Sequence, residues 1–99
     1  MSNSDIEFLA ELEQIVQTRL QDNSDGSYTA SLAKAGIKRI AQKVGEEGVE
    51  LALAAAAGDD AEVLEESADL LYHVIVLLAS KGLRLQDVSE RLRMRHSDA

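Results

Sequence analysis

Two pairs of carboxylates have a spacing that could hold a metal ion. Glu47 and Glu50 are three residues apart, and so are Glu66 and Asp69. Because residues at this spacing are neighbours on a helix surface, each pair shares one helix face. Carboxylates that converge in a helical bundle must be paired or neutralised, since an unpaired buried charge is costly. Oxygen ligands suit a hard divalent cation, so the pattern predicts a site for Mg2+ or Mn2+ rather than for zinc.

The position of Gly58 supports this convergence. Glu50 and Glu66 each lie eight residues from Gly58, and Glu47 and Asp69 each lie eleven residues from it. If the helices on either side of Gly58 pack antiparallel, the two pairs face each other at matched heights.

Basic residues that could contact a phosphate chain come directly before this acidic segment. Nine acidic residues and no basic one lie between Val44 and Ser80, whereas Lys43 lies one helical turn before Glu47. Mg2+ held by carboxylates usually binds phosphates as well. Lys43 is therefore predicted either to contact a phosphate or to form a salt bridge with Glu47, and the sequence favours neither.

The rest of the sequence narrows the chemistry. It contains no Glu-x-x-His pair of a di-iron bundle, no EF-hand loop and no glycine-rich phosphate loop. Gly45 and Gly48 lie inside a predicted helix, where each costs about 1 kcal/mol relative to alanine. Two explanations stay open for these glycines: a close approach between helices, or a role at the predicted site.

The apolar spacing is helical almost throughout the chain. After a first helix, a short second helix is predicted to begin at Thr29 as its N-cap and to end at Gly36. A long third helix ends at Gly58, a fourth covers about residues 60–80, and a last one covers about residues 86–95.

This order predicts an all-α bundle of about five helices, in a single domain over residues 1–99. From Leu70 onward the fourth helix is apolar nearly all round, so it should be buried on more than one side. A chain of 99 residues offers little cover for such a helix. We therefore expect a partner subunit to complete the bundle.

Composition and charge exclude several classes of protein. The chain has 18 acidic and 10 basic residues and no cysteine. The acidic balance argues against a nucleic-acid partner, and the lack of cysteine excludes disulfides, thiolate metal sites and a cysteine nucleophile. No secretory signal is visible, and the longest apolar run, residues 70–79, is about half the ~20 residues of a membrane span. We expect a cytoplasmic protein with no membrane partner.

The carboxylate pattern also resembles a known signature. Glu46-Glu47-x-x-Glu50 followed by Glu66-x-x-Asp69 is similar to the E-E-x-x-E and E-x-x-D motifs of the MazG-like superfamily, the all-α nucleoside triphosphate pyrophosphatases. Within that superfamily, three stretches of the chain resemble the phosphoribosyl-ATP pyrophosphatases of histidine biosynthesis. These stretches are Asp-Gly-Ser-Tyr-Thr at 25–29, Lys-Val-Gly-Glu-Glu-Gly-Val-Glu at 43–50 and Glu-Glu-Ser-Ala-Asp-Leu-Leu-Tyr-His at 65–73.

The resemblance runs from about Glu7 to Arg93, with Gly48 as a departure where alanine is expected. It implies a MazG-like bundle that forms a homodimer. It also implies Mg2+-dependent hydrolysis of 1-(5-phosphoribosyl)-ATP to the AMP derivative and pyrophosphate, the second step of histidine biosynthesis.

The resemblance further assigns site residues. It implies that a metal ion is held by Glu47, Glu50, Glu66 and Asp69. A carboxylate would orient or deprotonate the attacking water, and Glu46, Glu47 and Glu50 are the candidates. Glu46 could equally belong to the metal shell or be solvated.

The remaining matches are predicted to lie at the substrate: Ser27, Tyr28, Thr29, Lys43 and His73. Thr29 has a competing interpretation as an ordinary N-cap. For His73, a buried and hydrogen-bonded histidine is favoured over a ligand or a proton shuttle.

Two alternative functions stay open. A housecleaning pyrophosphatase for canonical or damaged nucleotides would share the metal site, and a panel of substrates would separate it from the biosynthetic enzyme. A non-enzymatic helical dimerisation module would leave the carboxylates solvated. In that case Mg2+ would not raise the melting temperature, as it should for a protein with a metal site.

Overall fold

Five helices make up the fold. The computed structural model describes residues 4–22 and 26–97, except for the side chain of Ser4. Within these ranges the chain forms no strand, which confirms the predicted all-α class. The helices are α1 (Ser4–Gln21), α2 (Tyr28–Ala35), α3 (Ile37–Ala57), α4 (Asp60–Ser80) and α5 (Leu85–His96).

Glycines and short polar side chains set the helix boundaries. Gly36 joins α2 to α3 with a φ of 94°, a left-handed conformation that L side chains rarely adopt. Gly58 follows α3 as predicted, and the Asp59 carboxylate accepts a hydrogen bond from the backbone N–H of Glu62 at 2.9 Å to begin α4.

The prediction that Thr29 is the N-cap of α2 is wrong. The cap is Ser27, whose extended backbone lets its hydroxyl accept a hydrogen bond from the N–H of Ala30 at 3.0 Å. Thr29 lies within the first turn of the helix and is only 1% exposed. Either residue type suits a cap, so tertiary burial of Thr29 decides which one takes that place.

The α3–α4 pair forms the centre of the fold. These helices pack against each other as an antiparallel hairpin about Gly58, and α1 packs along α4. The core between them consists of buried aliphatic side chains from four helices: Val16, Leu32, Ile40, Ile75 and Val76. The hairpin therefore carries both predicted carboxylate pairs at one level of the bundle.

Close helix packing does not explain the two glycines of α3. A Cβ atom added to Gly45 or Gly48 would meet no heavy atom within 4 Å. Within the described residues of the single chain, no other helix comes close enough to either position to require glycine.

One buried carboxylate helps to attach the last helix, whose first residue, Leu85, also packs against the core. No residue of α5 is buried. Glu13 of α1 is 5% exposed, and its Oε2 accepts a hydrogen bond from the backbone N–H of Leu85 at 2.6 Å. Its Oε1 lies 3.8 Å from Nε of Arg84. Within the described ranges, none of the helices is long and apolar enough to cross a membrane.

Candidate functional site

Three of the four predicted ligands come together between α3 and α4. Glu47, Glu66 and Asp69 each offer a carboxylate oxygen, and these oxygens all lie within 4.8 Å of one another. Glu47 is buried, Glu66 is half-buried and Asp69 is exposed. The acidic triad, as we call these three residues, is therefore enclosed on the α3 side and open to solvent on the other.

Glu47 has the least satisfied environment of the triad. It is 6% exposed, and its Oε1 lies 3.4 Å from Nζ of Lys43. Its Oε2 is buried without a hydrogen-bond partner within the described residues. A buried anionic oxygen without a partner is rare and costly, so it is a place where a cation would lower the free energy. The carboxylate donor set of the triad matches the preference of a hard divalent cation.

Glu50, the fourth predicted ligand, is outside the triad but interacts with it. Its side chain is exposed. The pKa of Glu50 is raised, first because its protonated carboxyl can hydrogen-bond to Glu47, and then because the negative charges of Glu47 and Glu66 are close. Glu50 therefore adds a further carboxylate beside Glu47 and Glu66, whose negative charges oppose its ionisation.

Glu46 makes its contacts with residues outside the triad. It is exposed, and one carboxylate oxygen accepts a hydrogen bond from Nε2 of Gln42 at 3.0 Å. The other lies 3.7 Å from Nζ of Lys43. The structure does not bring Glu46 into the triad.

Lys43 forms the predicted salt bridge. Its ammonium group lies near both Glu46 and Glu47. Desolvation lowers the pKa of Lys43, but a hydrogen bond to Glu47 and electrostatic interactions with Tyr28, Glu47 and Glu46 outweigh it, so the pKa is raised. The lysine therefore stays protonated beside the triad, where it partly neutralises Glu47.

A second group of side chains connects α2 to α4 beside Asp69. His73 is 6% exposed, as favoured from the sequence, and its Nδ1 lies 2.8 Å from the backbone oxygen of Asp69. Its Nε2 lies 2.8 Å from the hydroxyl of Tyr28. The hydroxyl of Tyr28 is thus held by a buried histidine, whereas 49% of the residue's surface is exposed to solvent.

The neighbouring residues of this group are structural in their observed contacts. Ser27 caps α2, and the buried Thr29 hydroxyl bonds to the hydroxyl of Tyr72. The rings of Tyr28 and Tyr72 are stacked with their centroids 6.2 Å apart. Sequence reasoning did not single out Tyr72, although it directly precedes His73 in a stretch that the resemblance used. Asp25, at the start of the first such stretch, lies outside the described residues.

Comparison with known proteins is consistent with this geometry. The sequence model of the PRA-PH family, described as phosphoribosyl-ATP pyrophosphohydrolase, matches residues 9–96. The chain is 59% identical over 90 residues to the histidine biosynthesis bifunctional protein HisIE of Photobacterium profundum. It is 55% identical over 93 residues to HisIE of Vibrio vulnificus and 53% identical over 94 residues to HisIE of Campylobacter jejuni.

These matches include most of this chain but only part of each relative. They cover 91%, 94% and 95% of the chain, and 44%, 44% and 45% of the respective relatives. The chain thus spans less than half the length of the curated relatives it matches.

Proposed function

This chain belongs to the phosphoribosyl-ATP pyrophosphohydrolase family, and we propose that it hydrolyses 1-(5-phosphoribosyl)-ATP to 1-(5-phosphoribosyl)-AMP and pyrophosphate with Mg2+ as cofactor. This reaction would be the second step of histidine biosynthesis. From the longer bifunctional relatives we extend to this chain only the activity that the family description names. Mn2+ is the alternative cation.

The buried, unpartnered oxygen of Glu47 within the acidic triad is the observation that carries this proposal. A solvated acidic surface would not bury a carboxylate oxygen away from water. A magnesium-dependent hydrolase needs such oxygens, because Mg2+ in phosphate chemistry is bound through a few carboxylates plus the substrate phosphates. We assign Glu47, Glu66 and Asp69 as ligands; Glu50, which the sequence predicts as the fourth ligand, lies outside the triad and is available to act as a base.

Mg2+, when bound, would neutralise negative charge on the phosphates and on the departing pyrophosphate. The protein side chains would position the substrate and supply the base that activates the attacking water. Of the three predicted catalytic carboxylates, Glu47 is occupied as a ligand and Glu46 already contacts Gln42 and Lys43. Glu50 is exposed and has a raised pKa, so we assign it as the base that accepts a proton from the attacking water.

The substrate is expected to enter from the open side of the triad. Lys43 supplies a protonated ammonium group beside Glu47, where it could contact a phosphate. Tyr28 is 49% exposed, and its hydroxyl is held by His73, which bonds to the backbone of Asp69. Ser27 and Thr29 would act through the shape of the α2 N-terminus, since their observed bonds are a helix cap and a buried hydroxyl pair.

A homodimer is part of the proposal. Five large aliphatic side chains of the α3–α4 hairpin are exposed in the single chain: Ile37 at 43%, Val49 at 60%, Leu53 at 64%, Leu64 at 70% and Leu71 at 37%. Apolar side chains exposed in such number on one hairpin usually mark a protein–protein contact. A second copy covering them would also complete the bundle around α4. No nucleic-acid or membrane partner is proposed, and the cytoplasm is the expected location.

A substrate panel tests the proposed function. Pyrophosphate release would be measured from phosphoribosyl-ATP, ATP and dUTP, each with Mg2+ and with a chelator. Fast Mg2+-dependent release from phosphoribosyl-ATP alone is expected. Preference for ATP or dUTP would overturn the substrate and assign a housecleaning role. Release from none, with no rise in melting temperature on adding Mg2+, would support the non-enzymatic dimerisation module.

A further inference from the structure

We propose that Tyr28 is a specificity-determining residue that offers its hydroxyl oxygen, as a hydrogen-bond acceptor, to the nucleoside part of the substrate, and that His73 is the positioning residue that fixes this polarity. The inference rests on the proposed function, because it assigns a role within that site. It concerns the direction of two hydrogen bonds, which the chemistry of their partners determines.

The direction of the first bond follows from the backbone. Nδ1 of His73 lies 2.8 Å from the carbonyl oxygen of Asp69, and a carbonyl oxygen can only accept a hydrogen bond. Nδ1 must therefore carry the hydrogen. In a neutral imidazole with its hydrogen on Nδ1, the other ring nitrogen is an acceptor.

The direction of the second bond follows from the first. Nε2 of His73 lies 2.8 Å from the hydroxyl of Tyr28, and in the neutral imidazole it has no hydrogen, so the tyrosine is the donor. A phenol has a single hydrogen, and once that hydrogen is donated to Nε2 the oxygen can only accept. The bonds run in one direction, from Tyr28 through His73 to the backbone of Asp69.

This polarity selects what Tyr28 can recognise. Ionised phosphate oxygens are acceptors, and they would face an oxygen that has no hydrogen left to donate. The sugar hydroxyls and the N–H groups of the base are donors and match it. The geometry links this oxygen to the triad, because the ring of His73 joins the Tyr28 hydroxyl, 2.8 Å away, to the backbone carbonyl of Asp69, also 2.8 Å away.

The exposed surface of Tyr28 makes this contact accessible. The residue is 49% exposed, although its ring is stacked on Tyr72 and meets His73 edge-on. Its neighbour Tyr72 provides a contrast, because that hydroxyl is engaged with the buried Thr29. Only the first of these two tyrosines is arranged to contact a substrate.

The tautomer of His73 tests the polarity without any substrate. Long-range 1H–15N spectra of the 15N-labelled full chain would be recorded under conditions in which the spectra themselves show the imidazole to be neutral. The chain has only two histidines, and the exposed His96 makes a similar 2.8 Å contact from Nδ1 to the carbonyl of Leu92. We expect His73 to be locked with its hydrogen on Nδ1, and His96 to show averaged tautomers. A hydrogen on Nε2 of His73 would overturn the proposal.

Substitution of the hydroxyl tests the recognition. Tyr28→Phe keeps the stacked ring but removes the oxygen. We expect the KM for phosphoribosyl-ATP to rise about three- to tenfold, the value of one lost hydrogen bond, with kcat within about twofold. Inhibition by phosphoribosyl-AMP should weaken by the same factor, and inhibition by pyrophosphate should not change. An unchanged KM, or equal weakening of both inhibitors, would overturn the assignment to the nucleoside.

Two further variants separate this role from a loss of structure. Tyr72→Phe removes the other hydroxyl of the ring pair and should lower stability while leaving the KM unchanged. His73→Phe should raise the KM as Tyr28→Phe does, and the double variant should add little, because both changes remove one coupled unit. Additive effects would contradict the positioning role. If the wild-type chain does not hydrolyse phosphoribosyl-ATP, the proposed function fails, and the tautomer of His73 still decides the polarity.

Discussion

Two buried glutamates of similar exposure lead to opposite conclusions about their roles. Glu13 is 5% exposed and Glu47 is 6% exposed. Glu13 accepts the backbone N–H of Leu85 with one oxygen and lies near Arg84 with the other. Glu47 pairs with Lys43 through one oxygen and leaves the other without a partner.

The difference shows that burial alone does not identify a functional carboxylate. Glu13 has a partner for each oxygen, both at the N-terminal end of α5, where positive helix-dipole charge favours an anion. Glu47 lies beside two further acidic residues that raise the local negative charge. The arrangement at Glu13 stabilises the folded chain by itself, whereas the arrangement at Glu47 becomes favourable only when a cation binds.

The largest effect should come from removing the charge of Glu47. Glu47→Gln keeps the shape of the side chain but weakens the predicted metal site, so activity should fall on the order of 10²- to 10⁴-fold. Steady-state pyrophosphate release at saturating Mg2+ measures it. Glu13→Gln is the matched control and should keep activity within about threefold. Similar losses in both variants would remove the distinction between them.

Mg2+ should stabilise the protein through the triad. A ligand at 100 times its Kd stabilises the folded state by about 2.7 kcal/mol, so the melting temperature should rise with Mg2+ concentration. The rise should be much smaller in Asp69→Asn and unchanged in Glu13→Gln. A rise of equal size in Asp69→Asn would place the binding elsewhere. Differential scanning fluorimetry with a chelated reference measures the shift.

Removing Glu13 should affect stability rather than catalysis. Glu13→Ala leaves the N–H of Leu85 and the Arg84 side chain without their partner, which should lower the free energy of unfolding by about 1–3 kcal/mol. Chemical denaturation measures this change. Because α5 has no buried residue, hydrogen exchange should increase first in α5. Unaltered protection of α5 would show that this helix is held by other contacts.

The smallest effect is expected at Gly48, next to Glu47. A Cβ there meets no heavy atom within 4 Å of the single chain, so Gly48→Ala should stabilise the chain by about 0.5–1 kcal/mol through helix propensity. Thermal unfolding measures the gain. Destabilisation, with loss of the dimer in sedimentation, would mean that a second copy packs closely against this position and that one chain does not contain the whole surroundings of Glu47.

Local patterns in the sequence were sufficient to predict the five helices and the approach of three of the four predicted carboxylates. The glycines at 36 and 58 define the ends of α2 and α3, and the equal distances of Glu47 and Asp69 from Gly58 predict their approach in a hairpin. Glu50 has the same kind of spacing as Glu47 but is exposed outside the triad. Helical spacing predicts which residues share a helix face and at what height along the bundle they lie, whereas the direction of each side chain depends on packing.

Long-range contacts were not predictable in this way. The bond between Glu13 and Leu85 joins residues 72 apart, and the bond between Tyr28 and His73 joins residues 45 apart. No local spacing encodes such pairs, since they depend on how α1 and α2 pack on the hairpin. The N-cap of α2 was mispredicted for the same reason: Ser27 takes this place instead of Thr29, because the burial of Thr29 is a tertiary effect.

Direct metal binding tests the central claim, that the unpartnered oxygen of Glu47 is kept for a divalent cation. Free Mn2+ would be measured by electron paramagnetic resonance while Mn2+ is titrated into the wild-type chain, Glu47→Gln and Glu13→Gln. We predict saturable binding to the wild type and to Glu13→Gln, displaced by Mg2+, and binding at least about tenfold weaker to Glu47→Gln. Equal binding to all three proteins would contradict the claim.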